Sequence, residues 1–115
     1  MNLSTPILIC DPNEEIRLLL KNMLTRHGFF HLIEAQNTEE ILRIVNDDQF
    51  ILIHKSLLND ELKKSLSNKK SFLIISQTED QDTINLSAFF GVKHLMSFPY
   101  SSKSLVQKIS NLVTH

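Results

Sequence analysis

The stretch Ile7-Leu8-Ile9-Cys10-Asp11-Pro12-Asn13-Glu14-Glu15-Ile16 decides how this chain folds. Its first four residues are continuously apolar, the pattern of a strand buried on both faces. The next four carry turn and capping chemistry. Asp11 or Asn13 can cap a helix, and Pro12 is tolerated in a first turn, where its missing N–H costs nothing. From Ile16 onward, Leu19, Leu20, Met23, Leu24 and His27 recur at helical spacing, with Arg17, Lys21 and Arg26 on the other side. Gly28 predicts the stop, as a residue that can take the left-handed conformation just past a helix end.

The same unit then repeats along the chain. Residues 29–34 read as a second strand, and Asn37-Thr38-Glu39-Glu40 matches a capping box opening a helix that buries Ile41, Leu42 and Val45. Residues 50–53 are again continuously apolar. Residues 57–68, with Leu58, Leu62 and Leu66 in a Lys- and Asn-rich background, predict a weaker, solvent-facing helix. A fourth strand over 72–75 precedes a second capping box, Thr78-Glu79-Asp80-Gln81, and a helix running to Phe90 and ending at Gly91. The last strand spans 92–96 and reaches Ser97. Pro99 breaks it, and Ser101 or Ser102 caps a final helix carrying Leu105, Ile109, Leu112 and Val113. Strand and helix thus alternate five times in one domain, residues 1–115, with no linker or repeat. Right-handed crossovers make this a (βα)5 doubly wound parallel sheet of strand order 2-1-3-4-5. The first and last helices fall on one face and the other three on the opposite face.

Composition narrows the function classes. Twelve basic and 13 acidic residues leave a formal charge of −1, which offers no field for nucleic acid and no polybasic membrane patch. The lone Cys10 excludes a disulfide framework or a cysteine metal cluster and suits a reducing compartment. Residues 1–6 show no signal-peptide pattern, and no apolar run approaches a membrane span. A cytoplasmic domain is expected.

In an open parallel sheet the functional crevice lies outside the carboxyl ends of the strands. Those ends are Cys10-Asp11, His54, Ser76 and Phe98-Pro99, which offer one carboxylate, one imidazole, one hydroxyl and one aromatic ring. This is a poor set for catalysis. Asp11 is equally well explained as a helix cap, Ser76 as a partner for strand-end backbone, and His54 as a pocket-filling imidazole bonded locally. Only Asp11 is expected near His54 at that end of the sheet, so magnesium is not expected and zinc would be short of ligands. His27, His31, His94 and His115 show no spacing that suggests ligation and read as surface or half-buried residues.

The five-fold repeat, with several local strings, resembles the receiver domain of bacterial response regulators, the CheY-like, flavodoxin-like fold. The resemblance covers residues 7–113. It rests on Ile7-Leu8-Ile9-Cys10-Asp11, Glu15-Ile16-Arg17 and Leu19-Leu20 at the first strand and helix. Gly28-Phe29 and Glu34-Ala35 carry it at the second strand, residues 50–53 at the third, and Gly91-Val92 and Pro99-Tyr100 around the fifth. The resemblance implies two-component signalling by phosphoryl transfer to an aspartate at the end of the third strand. Neighbouring acids would hold a magnesium ion, with a hydroxyl on the fourth strand and a lysine on the fifth. At those positions this chain has Asp11-Pro12 for the acidic pair, His54 for the acceptor, Ser76 for the hydroxyl and Phe98 for the lysine. Leu95 stands where family members have a switch aromatic. The loop 55–62 has neither the usual proline nor the usual glycine. The chain therefore looks like a pseudo-receiver. The resemblance also implies a cis peptide bond at Phe98-Pro99.

The expectation for function is a non-enzymatic, phosphorylation-independent protein-interaction module with no cofactor and no metal. Its partner-binding candidates are Leu86, Phe89 and Phe90 on the fourth helix, with Leu95 and Tyr100 beside them. Ile84, Ser87 and Ala88 of that helix are expected to face the sheet, leaving Leu86 and Phe89 on its flank. In the resembled family the fourth helix, last strand and last helix form the usual partner face, and a homodimer through it is one form the interaction could take. The alternatives are a phosphotransfer protein using His54 and the N-terminal regulatory or dimerisation domain of a longer regulator.

Overall fold

The structure is a computed structural model and describes residues 4–46, 48–66, 72–76, 81, 84–85, 95–97 and 101–113. Five strands form one sheet: β1 (Ile7–Cys10), β2 (Leu32–Ala35), β3 (Phe50–His54), β4 (Phe72–Ser76) and β5 (Leu95–Ser97). Their spatial order is β2-β1-β3-β4-β5, and every neighbouring pair is parallel. The helices are α1 (Glu14–Arg26), α2 (Thr38–Ile44), α3 (Asp60–Leu66) and α4 (Ser102–Val113). Gln81, Ile84 and Asn85 are also helical.

Side chains alternate across a strand with period two, so the continuous apolar runs serve both faces. Ile7, Ile9, Phe50 and Leu52 pack with Leu20 and Leu24 of α1 and Leu105, Val106 and Ile109 of α4. Leu8, Cys10, Ile51 and Ile53 pack with Ile41 of α2 and Leu62 and Leu66 of α3. The expected split of helices thus holds for these four, with α1 and α4 opposite α2 and α3. Burial of this kind, at roughly 1.5–3 kcal/mol per large side chain, does most to hold the layers together.

Several local features are where the sequence placed them. The side chain of Asn37 accepts from the Glu40 N–H at 2.8 Å, and the Ser101 hydroxyl accepts from the Ser104 N–H at 3.0 Å. Gly28 has φ 94°, and beyond it the Phe29 N–H returns to the Leu24 carbonyl at 3.1 Å. That closure uses Phe29 as the buried residue past the helix end, so the second strand starts at Leu32 rather than at residue 29.

The third helix also departs from expectation. His54 caps a 3-10 turn over Lys55–Leu57, and a new helix begins only after Asn59, whose side chain accepts from the Leu62 N–H at 3.1 Å. Nor is α3 solvent-facing, because Leu62 and Leu66 are fully buried against the sheet. Ile84, expected to face the sheet, is 43% exposed. Leu86, Phe89, Phe90, Phe98, Tyr100 and the Phe98-Pro99 peptide bond lie outside the described residues.

Candidate functional site: the carboxyl edge of β1 and β3

Strand order reverses after β2: α1 carries the chain outward along one face, and α2 returns it across the other. The switch point lies between the carboxyl ends of β1 and β3. Cys10 pairs with Ile53 in register, so Asp11 and His54 are the next residues on adjacent strands. On the far side of β3, His54 pairs with Ile75, and Ser76 closes β4 opposite Ser97. The fold therefore brings Asp11, Pro12, His54 and the Ser76 position to one edge. Leu95 lies at the start of β5, paired with Ile74 and further from that edge.

Asp11 is 3% exposed. Its N–H donates to the Ala35 carbonyl at 3.1 Å, and its Oδ1 accepts from the Asn13 N–H at 2.8 Å. The side chain thus closes an Asx turn and does not cap α1. The cap is Asn13, whose Oδ1 accepts from the N–H groups of Glu15 at 2.8 Å and Ile16 at 3.4 Å. The reason is positional, since a cap must reach the first-turn donors two and three residues ahead, and Asp11 is too far back. Pro12, between them, is exposed.

His54 is half-buried. Its Nδ1 accepts from the Ser56 N–H at 3.1 Å and lies 2.8 Å from the Ser56 hydroxyl. A nitrogen that accepts a backbone N–H carries no proton, so the neutral ring is protonated on Nε2. Cys10, one residue before the edge, is inert: burial pushes its thiol far above the ordinary value, and the Asp11 charge adds to this.

A polar cluster with no local signature in the sequence braces the outer side of this edge. Arg17 donates through Nη1 to the Asp11 carbonyl at 2.7 Å and through Nε to Glu34 Oε1 at 3.0 Å, while Lys21 donates to Glu34 Oε2 at 3.1 Å. Partial burial alone would raise the Glu34 carboxyl. Hydrogen bonds from Lys21 and Arg17, with their positive charges, outweigh it and hold the carboxyl below its ordinary value. The i, i+4 spacing of Arg17 and Lys21 was visible in the sequence, but their shared acid, 17 and 13 residues away, was not. On the other side of the sheet Thr38 donates to the Leu57 carbonyl at 3.1 Å, tying α2 to the turn after His54.

A five-stranded parallel sheet in this order, with helices on both faces and its crevice at the β1–β3 switch point, belongs to the flavodoxin-like class of doubly wound folds. No family model matches the chain, and no curated protein matches it in sequence. In structure the likeness is extensive. A response regulator receiver domain protein from Clostridium thermocellum superposes with a TM-score of 0.79 at 21% identity, over 96% of this chain and 94% of that one. Chemotaxis response regulator CheY4 of Vibrio cholerae gives 0.76 at 13% identity, over 95% and 98%. A Burkholderia pseudomallei protein described as pilus assembly-related gives 0.77 at 11% identity, over 99% and 92%. At these identities the likeness is one of fold: the chain has the CheY-like receiver fold over nearly its whole length.

Among the described residues no helix is long and apolar enough to cross a membrane. No group of three or more His, Cys, Asp or Glu is placed to hold a metal ion among them.

Proposed function

We propose that this chain is a pseudo-receiver, a cytoplasmic signalling module that binds protein partners without aspartyl phosphorylation and is not an enzyme. The observation that carries the reading is His54, at the carboxyl end of the third strand with Nδ1 committed to Ser56. An imidazole there cannot serve as the carboxylate acceptor of the receiver reaction, nor supply an oxygen to magnesium. The ion asks for near-octahedral oxygen ligation. Pro12 brings no side-chain oxygen, and one Asp11 oxygen is already held by the Asn13 N–H. The residues at this edge do not fit magnesium.

Incubation with acetyl phosphate followed by intact-mass measurement tests the reading. An unchanged mass is expected. A phosphoryl adduct would overturn it, and an adduct lost in His54→Ala would favour the phosphotransfer alternative. Partner binding is proposed for the helix expected over residues 80–90, with the flanking β5 and α4, through Leu86, Phe89, Phe90, Leu95 and Tyr100. A heterologous protein or a second copy could occupy that face. Phe89→Asp should lower capture of partners while leaving the melting temperature nearly unchanged. A large drop in melting temperature would instead put Phe89 in the core and end this surface assignment.

A further inference from the structure

Leu18 and Leu19 of α1 are 55% and 38% exposed, while Leu20 and Leu24 are 1% and 0% exposed against the sheet. At 100° per residue, Glu15, Leu19, Asn22 and Arg26 form one stripe opposite the buried face, with Leu18 beside it. Charge brackets the two leucines, with Glu14 and Glu15 in the first turn and Arg26 in the last. Those three side chains make no ion pair among the described residues, whereas Arg17 and Lys21 on the flank are both committed to Glu34. The neighbouring helix on the same sheet face does not share the pattern. α4 turns Lys103, Ser104, Gln107 and Asn111 outward and buries Leu105, Val106 and Ile109.

The stripe runs acidic, apolar, polar, basic, so its two charged ends complement each other when it is reversed. A second copy laid antiparallel across a two-fold axis near the middle of α1 sets Glu15 against Arg26 twice and Leu19 of each copy level with Asn22 of the other, so that the four leucines fall between the two charge pairs. We propose that the outer face of α1 is a self-association surface for a second copy of this chain in that antiparallel arrangement. The proposal concerns a different face from the partner surface above and does not rest on the absence of phosphorylation. A helix of 13 residues is about 20 Å long, and one stripe of it covers well under the roughly 800 Å² per partner of a standard interface. The dimer is therefore weak and concentration-dependent.

Sedimentation of the whole chain from micromolar to millimolar concentration reads the association. Wild type should shift from monomer to dimer across that range, and Leu18→Gln with Leu19→Gln should weaken the dimer by roughly tenfold or more. Glu15→Lys alone and Arg26→Glu alone should each weaken it several-fold. An equimolar mixture of these two single variants should recover it as a heterodimer, because each charge then meets its opposite. Phe30→Ser removes a side chain that is 74% exposed but lies off this stripe, and should change nothing. A wild-type monomer throughout, a dimer indifferent to the leucine changes, no recovery in the mixture, or loss of the dimer on Phe30→Ser would each overturn the proposal.

Discussion

Asp11 is the one carboxylate at the β1–β3 edge among the described residues, and two substitutions of it separate turn-forming from metal-binding. Asp11 is almost fully buried, and among the described residues its carboxylate accepts one hydrogen bond, from the Asn13 N–H at 2.8 Å. Losing that bond in Asp11→Ala should cost about 1–1.5 kcal/mol. For 115 residues the unfolding entropy is about 240 cal/mol/K near 60 °C, so this corresponds to a fall in melting temperature of about 4–6 °C. Asp11→Asn keeps an acceptor oxygen in the same place and should stay within about 2 °C of wild type. Magnesium supplies the contrast. An ion held with a dissociation constant of about 0.1 mM would, at about 10 mM, stabilise the fold by about 2.7 kcal/mol and raise the melting temperature by about 11 °C. Differential scanning fluorimetry with and without magnesium should show a change below about 1 °C in all three proteins. A rise of several degrees in wild type that disappears in Asp11→Asn would refute the reasoning, since Asp11 would then be a ligand after all.

Three further outcomes follow from the geometry. Asn13→Ala removes the acceptor for two first-turn N–H groups of α1 and should cost about 1 kcal/mol, measured by urea denaturation. Glu34→Gln should cost about 0.5–1 kcal/mol at neutral pH, because this carboxylate holds Arg17 and Lys21 while remaining partly exposed. Its folded-state pKa is lowered, so the stability that wild type gains over the variant is full above the unfolded value near 4.5 and is lost as pH falls through the lower folded value; a difference that grows on acidification would contradict this. The Cys10 thiol, buried and raised, should resist alkylation at pH about 8 in the folded protein and react at once in denaturant, and rapid labelling of the native state would show that the β1 edge opens.

What the sequence determined by itself was the alternation of strands and helices, through features that act among near neighbours. The apolar runs of β1 and β3, the cap at Asn37, the serine pair Ser101-Ser102 that opens the last helix, and the glycine stop at Gly28 act within a few residues, and their alternation leaves few topologies once crossovers must be right-handed. The edge residues Asp11 and His54 were legible for the same reason, because strand ends in such a sheet converge. Tertiary structure decided what those residues touch. Asp11 or Asn13 could cap α1 from sequence, and only the folded turn assigns the cap to Asn13 and the Asx turn to Asp11. His54 reads as a lone imidazole until the chain bends and its Nδ1 takes the Ser56 N–H, which also delays the third helix to Asp60. Leu18, Leu19 and Leu20 are identical in sequence pattern, yet three consecutive residues span 200° of a helix and cannot all reach one sheet. Which of them stays outside, and that Glu34 rather than some nearer acid holds Arg17 and Lys21, is fixed by how α1 lies across β1 and β2. Such contacts join residues far apart in sequence, and no local pattern encodes them.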